Sequence, residues 1–306
     1  MTPRIAICVV TYNSAELIEE LVASLADGAA GTDWTLVVAD NASNDATLAE
    51  VRRHAPRATI VETGGNMGYA AGVNAAIRAA GAQDGYLILN ADVRLTRGCA
   101  AALFAALGPQ VGIAVPRLHD ARGELILSMR REPTIVRAWA DTVVGAERAG
   151  RWRALGEVVS DPDNYMKGRT ADWAEGSTQL ISAACWQRVG PWDEAFFLYS
   201  EETDFNLRAG DAGLRTWYEP SARAQHLEGG SAGSPRQWAL LVANRVRLYR
   251  KRHGPAKAVF FWAATVAREA SRAILGRQTS RVALRNLVSR HRMHAPRSER
   301  WLVTAD

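Results

Sequence analysis

The chain has 306 residues, 48% of them hydrophobic and 23% charged, the balance of an ordinary soluble globular protein with a sizeable core. Cys8, Cys99 and Cys185 are widely spaced and none belongs to a C-x-x-C pair, which argues against a disulfide framework or a cysteine zinc site and predicts three buried small hydrophobes. The net charge of +5 is unevenly spread: residues 236–300 hold 14 Arg and 2 Lys against Glu269 and Glu299, a net +14, so the rest of the chain carries −9. An acidic body with a basic tail predicts an anionic partner, phospholipid or nucleic acid.

At the N-terminus, "IAICVV" (5–10) is too short and too soon followed by polar residues for a signal-peptide core, so a cytoplasmic location is expected. Four further apolar runs follow, "WTLVVAD" (34–40), "ATIVE" (58–62), "GYLILNAD" (85–92) and "VGIAVP" (111–116). Between them lie segments with apolar residues at helical spacing and a Gly or Pro near the end. That alternation predicts β-α-β units: a mostly parallel central sheet flanked by helices, a Rossmann-like α/β fold. Ligands of such sheets bind beyond the carboxyl ends of the strands.

The residues at those ends are polar. "VVTYN" puts Thr11, Tyr12 and Asn13 there, a ring and two hydrogen-bonding groups suited to a flat heterocycle. "VVADNASND" adds Asp40 and Asn41, whose carboxylate is suited to the N3 proton of uracil or thymine; the same residues also fit an Asx turn before a helix. "GGNMGYAAGVN" (64–74) is a glycine-rich turn opening a helix, but it does not match G-x-G-x-x-G and it follows the third strand, which disfavours a dinucleotide dehydrogenase. "LILNADV" places Asn90 and Asp92 on one side of an extended chain, a spacing that suits a hard cation held against a diphosphate.

Residues 117–172 are less regular and read as an insertion or loop region over the site. Order returns with "EGSTQLISAACWQRVG", the acidic "FFLYSEETDFNLR" (196–208), and short strands expected near "RTWYEP" and "ARAQH". Residues 236–252 and 256–276 read as helices. The second contains about ten largely apolar residues, half of the roughly 20 needed to cross a bilayer. Its Phe260, Phe261 and Trp262 suit either a membrane interface or packing on the body.

Taken in order, "VVTYN", "VVADNASND", "GGNMGYAAGVN", "LILNADV", the stretch from "VGPWDEAFF" to "TWYEP", and "HLEGGS" resemble the family 2 inverting glycosyltransferases of the GT-A fold, particularly their rhamnosyltransferase-like branch, over about residues 4–250. The resemblance implies a glycosyltransferase domain over 1–235, with a nucleotide-sugar half (about 1–116) and an acceptor half (about 173–235), and a basic helical extension over 236–306. It implies that Thr11, Tyr12, Asn13, Asp40 and Asn41 bind base and ribose, and that Ser43, Asn66 and Gly68 line the donor pocket. Asn90-Ala91-Asp92 takes the place of the family's D-x-D, leaving Asn90 to the ribose or metal. Asp92 and His226 are then the implied ligands of Mg²⁺ or Mn²⁺. Trp173, Gly176 and Asp193 fall on the acceptor side.

The implied reaction is an in-line displacement by an acceptor hydroxyl, which needs a general base. The family's acidic pair aligns with Glu201-Glu202, making Glu202 the expected base and Glu201 and Asp204 the alternatives. The same carboxylates also suit a plain helix start with Ser200 as N-cap. The expected donor is a dTDP- or UDP-sugar, such as a rhamnose donor, and the expected acceptor is lipid-linked, a polysaccharide or a secondary metabolite. Peripheral membrane contact through the basic helices is expected, nucleic acid is not, and a homo-oligomer is compatible. The competing class is a nucleotide-sugar-binding protein without catalysis, suggested by Asn90 and by Glu202 where the family usually has Asp.

Overall fold

The computed structural model describes residues 2–227, 234–295 and 298–299. The part of "HLEGGS" beyond Leu227 therefore lies outside the described residues. The first half winds as β1 (Arg4–Thr11), α1 (Ala15–Gly28), β2 (Asp33–Asp40), α2 (Thr47–His54), β3 (Thr59–Glu62), α3 (Tyr69–Ala80), β4 (Gly85–Asn90), β5 (Val93–Leu95), α4 (Cys99–Ala105) and β6 (Val111–His119). There follow β7 (Met129–Arg130), α5 (Ile135–Val144), α6 (Ala146–Gly150), β8 (Arg169–Ala171), β9 (Trp173–Ala174), β10 (Thr178–Ser182), α7 (Ala183–Val189), α8 (Glu201–Asp211) and β11 (Arg215–His226). Three helices close the chain: α9 (Pro235–Ile274), α10 (Gln278–Val288) and α11 (Arg290–His294).

The main sheet runs β3-β2-β1-β4-β10-β6-β11-β5, with β8 on the side of β11. β1 to β4, β6 and β11 share one direction, while β10, β5 and β8 run against it. The mostly parallel sheet predicted from the sequence is thus present. Alternate residues of β1 feed opposite faces, as strand geometry requires. Ile5, Ile7 and Val9 pack with Ile18, Leu21 and Leu25 of α1, and Ala6, Cys8 and Val10 pack with Ala70, Val73 and Ile77 of α3. Each such fully buried Leu, Ile or Val side chain contributes about 1.5–3 kcal/mol before entropy is set against it. All three cysteines are buried and free, as expected.

Chain order reverses at β1, which has β2 on one side and β4 on the other. That switch point opens a crevice at the strands' carboxyl ends, where Thr11, Asp40 and Asn90 end their strands.

Three expectations are corrected. Residues 117–172 are not a bare loop: they hold β7, α5, α6 and β8, with β7 paired to β9. The two short strands expected after α8 are one strand, β11, irregular between Glu219 and Arg223, where Pro220 interrupts the pairing. Ser200 does not cap α8 with its side chain; it has φ 76° and its carbonyl accepts from Asp204 N at 2.9 Å.

The two C-terminal helices expected from the sequence are the halves of α9, broken at Gly254 (φ 78°, ψ 171°). The halves pack on each other: the Tyr249 and Phe261 rings stack at 4.3 Å, and Trp238 Nε1 donates to Glu269 Oε2 at 2.9 Å. Of the three aromatic residues with two open uses, Phe261 is buried and Trp262 packs against the same cluster and donates to Leu287 O. Only Phe260 faces outward.

Candidate active site

The donor edge is built by β1 and β2. Thr11 and Asp40 are buried, and Asp40 Oδ1 accepts from the hydroxyls of Thr11 (2.7 Å) and Ser43 (2.6 Å) while Oδ2 accepts from Ser43 N (2.9 Å). Asp40 therefore orders the turn first, and a base N3–H would share Oδ2 with Ser43 N–H. Asn13, at φ 51°, donates its backbone N–H to Ser43 Oγ and accepts from Asn44 N, so the two loops are cross-tied. Tyr12 projects outward, 39% exposed, where a base would stack. Its hydroxyl donates to the Glu299 carboxylate, which pushes the phenol pKa up.

The glycine-rich turn ties this edge to the catalytic half. Asn41 Nδ2 donates to Gly68 O at 3.1 Å, and Gly68 N–H reaches Asn66 Oδ1 at 3.3 Å. Gly68 has φ 93°, and a Cβ there would lie 2.4 Å from Phe197 O, so only glycine fits. Tyr69 N–H donates to the same Phe197 carbonyl at 2.8 Å, and its hydroxyl donates to Asn90 Oδ1 at 2.5 Å.

β5 pairs with the end of β11 in a register that sets His226 opposite Val93, next to the N-A-D turn. His226 Nε2 is 3.3 Å from Asp92 Oδ1. On the other side of the ring, Nδ1 is 2.9 Å from Glu175 Oε1, close as a charge pair though not aligned as a hydrogen bond. Burial lowers the imidazole pKa, but the two carboxylates outweigh it and hold it up at about 10. Two carboxylates thus converge on the imidazole and favour its charged form.

Among the described residues no three His, Cys, Asp or Glu side chains form a complete metal cage. Asp92 and His226, 3.3 Å apart, are nevertheless the pair that could hold a divalent cation, since a carboxylate and an imidazole are both suitable donors. Glu175 has the place of a carboxylate that orients the ring from behind.

Glu201 and Glu202 open α8, after two consecutive residues in the left-handed region, Tyr199 (φ 69°) and Ser200 (φ 76°). Glu201 is buried and its Oε2 has no hydrogen-bond partner among the described residues. Desolvation and the Glu202 charge push its pKa well above the ordinary carboxylate value. Glu202 is half-buried. Desolvation raises its pKa to about 7, with backbone N–H groups at the helix start opposing and the Glu175 charge adding to the rise. Its Cβ and Cγ lie 3.0 Å from where a Cβ on Gly176 would sit.

Asp204 is not available as a base: it is fully buried, with Oδ2 on Arg208 Nε (2.7 Å) and Oδ1 on Lys251 Nζ (2.6 Å). Asp193 shares that Lys251 at 2.8 Å, which holds its carboxyl below the ordinary range despite partial burial. Trp173 donates Nε1 to Arg131 O at 3.0 Å, beside Gly176 in sequence. Asp92, His226 and Glu175 thus form one connected group, with Glu202 near enough for the Glu175 charge to raise its pKa and Gly176 packed against Glu202, whereas Asp193 and Asp204 belong to a lysine-bridged cluster. Sequence reasoning missed Glu175 and Tyr69, although Glu175 sits within "DWAEGS" between Trp173 and Gly176.

A mostly parallel α/β sheet with an acidic strand end, a histidine returning on the last strand and a carboxylate pair opening a helix matches the GT-A fold. The family model for glycosyl transferase family 2 matches residues 6–167, and the chain belongs to that family. It is 29% identical over 247 residues to N-acetylglucosaminyl-diphospho-decaprenol L-rhamnosyltransferase of Mycobacterium tuberculosis, covering 76% of this chain and 79% of the relative. It is 26% identical over 215 residues to the low-salt glycan biosynthesis hexosyltransferase Agl10 of Haloferax volcanii, covering 68% of this chain and 62% of that one. In fold it is similar to the mannosyltransferase PcManGT of Pyrobaculum calidifontis, solved with GDP-Man and Mn²⁺, with TM-score 0.55 and 18% identity over 93% of this chain and 79% of that one. The protein is a family 2 glycosyltransferase of rhamnosyltransferase-like type.

Proposed function

We propose that this enzyme is an inverting transferase that moves a deoxyhexose such as rhamnose from a dTDP- or UDP-sugar to a hydroxyl of a lipid-linked acceptor. The lipid-linked acceptor is suggested by the mycobacterial relative, whose name specifies a diphospho-decaprenol substrate. The observation that carries the chemistry is Glu202, half-buried beside Gly176 with its pKa raised to about 7, within reach of the charge of Glu175, which pairs with His226. A base poised near neutral pH takes the acceptor proton most effectively. Glu201, buried with its own pKa pushed up by desolvation and by the Glu202 charge, is less suited to that role.

Asp92 and His226 would hold a divalent cation, as the Mn²⁺ in the mannosyltransferase suggests. When bound, such an ion supplies charge neutralisation for the leaving nucleoside diphosphate. Tyr12, Asn13, Asp40 and Asn41 seat the base and ribose, and Asn90, fixed by Tyr69, meets the sugar side of the donor. Trp173 and Gly176 line the acceptor edge. Contact with a membrane surface follows from the acceptor and from the +14 of residues 236–300.

Glu202→Gln tests the reading. Transfer from dTDP- or UDP-sugar is expected to fall by about 10²–10⁴-fold, the usual worth of a general base, while donor binding measured by calorimetry stays within a few-fold. Normal turnover in that variant rules out Glu202 as the base, and a chain that binds donor but transfers nothing in wild-type form is a binding protein.

A further inference from the structure

α5 presents an uncovered apolar stripe. Its Ala138 and Asp141 are buried, and Thr142 Oγ1 donates to Ala264 O of α9 at 3.0 Å, so one face is committed to the protein. The other carries Val136, Trp139 and Val143 at i, i+3 and i+7, exposed by 59%, 41% and 78%. Trp152 and Leu155, beyond α6, are exposed as well. Single exposed apolar residues are unremarkable, but a stripe at helical spacing that includes tryptophan marks a contact surface.

The chemistry around it indicates the occupant. Arg148, Arg151 and Arg153 are exposed beside the stripe, against one exposed carboxylate, Glu147. α5 packs on the basic α9, where Arg245, Arg268 and Arg272 all act on Asp141 to oppose the upward push that burial gives its pKa. α9 then ends in Ile274 and Leu275, exposed by 85% and 80%. Apolar residues with tryptophan, rimmed by arginine, match the boundary of an anionic bilayer: rings and aliphatic groups enter the acyl edge while guanidinium groups stay among the headgroups. No helix of the described residues is long and apolar enough to cross a membrane, so the contact lies in the interface plane.

The stripe is also tied to the acceptor edge. Glu175 N–H donates to Ser128 O (3.1 Å), Trp173 Nε1 to Arg131 O (3.0 Å) and Glu132 N–H to Asp172 Oδ2 (2.8 Å), so residues 128–132 run along the segment bearing Trp173 and Gly176. α5 starts three residues later.

We propose that the exposed face of α5, with Val136, Trp139 and Val143 as its apolar contact and Arg148, Arg151 and Arg153 at its rim, docks this enzyme on an anionic phospholipid surface with the acceptor edge beside the bilayer. The proposal deepens the reading of a lipid-linked acceptor, and its test is independent of transfer.

Full-length wild type and Trp139→Ser/Val143→Ser are sedimented with vesicles of phosphatidylcholine alone or mixed with phosphatidylglycerol, with no acceptor present. Wild type is expected to bind the mixed vesicles at least tenfold more tightly than the neutral ones. The double variant is expected to lose at least tenfold of that binding while remaining folded by circular dichroism. Arg148→Gln/Arg151→Gln, which leaves the apolar stripe intact, is expected to weaken binding to the mixed vesicles alone. Equal binding by wild type and the apolar double variant, or no vesicle binding by wild type, overturns the proposal. So does a wild-type dimer, seen by light scattering, that the double variant loses, since the stripe then joins two copies of the chain. Vesicle binding through α5 in a chain that transfers no sugar leaves this proposal standing and removes the proposed function instead.

Discussion

Glu202 shows how far one environment can push a carboxyl group. Burial raises its pKa from 4.5 to about 7, so the folded protein holds that proton more tightly than the unfolded chain does. Stability on this account is full below about pH 4.5, falls as pH rises toward about 7, and is flat above. Activity runs the other way, because a base must be ionised: kcat is expected to rise with pH to a plateau above about 7. Glu202→Gln removes both effects. It is expected to be more stable than wild type at pH 8 by about 1–3 kcal/mol, at about 1.4 kcal/mol per pKa unit, with the difference gone below about pH 4 in denaturant titrations. A variant equally stable at both pH values would mean that Glu202 titrates normally. Glu175 acts one step away, behind His226. Glu175→Gln is expected to weaken Mn²⁺ binding about 10–100-fold in a titration without donor, the usual cost of losing a carboxylate behind a ligating histidine; unchanged affinity would remove it from the metal's surroundings.

At the scale of elements, strand ends and helix starts set the site, and close backbone approaches fix their spacing. The turn before β10 passes so near α8 that an alanine Cβ at position 176 would stand 3.0 Å from Glu202 Cβ and Cγ. Gly176→Ala is therefore expected to shift Glu202 by a few tenths of an ångström and lower kcat roughly 10–100-fold, with the donor KM little changed. A rise in donor KM at constant kcat would place the strain on the nucleotide side instead. The elements legible in the sequence are those with one clear period. β1 to β4 and their helices alternate cleanly, because both sheet faces are covered and each helix has one apolar side. α5 breaks that rule: it buries Asp141 beside arginines of α9 and exposes Val136, Trp139 and Val143, so its pattern points away from the core. β11 reads as two strands because Pro220 interrupts it, and the pairing of Glu175 with His226 joins positions 51 residues apart, which no local pattern encodes. The N-terminal carboxylates of α8 were readable as a pair. Which of them stays ionisable depends on burial, which only the packed structure sets.

At the scale of the whole molecule, the basic C-terminal helices brace the catalytic loop as well as carrying charge. Asn244, buried in the first half of α9, donates Nδ2 to Leu198 O (2.9 Å) and Tyr199 O (3.1 Å). One turn on, Arg247 lies over the Phe196 ring at 5.6 Å, and Lys251 joins Asp193 to Asp204. These contacts hold the segment in which Tyr199 and Ser200 take left-handed conformations, each of which costs about 1–3 kcal/mol and persists only when its surroundings fix it. Asn244→Ala leaves both carbonyls without that donor, and global stability is expected to fall by about 1–3 kcal/mol. The loop is then free to relax, turning Glu201 and Glu202 away from the crevice. Among the described residues, Asn41 and Asn90 meet this loop only through Gly68 and Tyr69, so donor binding is expected to remain within a few-fold while kcat falls at least tenfold. Equal losses in donor affinity and kcat would indicate general loosening of the fold, and a lowered Tm with full kcat would show that the loop keeps its shape without α9. A selective loss of kcat would establish that the helices from Pro235 onward set the geometry around Glu202.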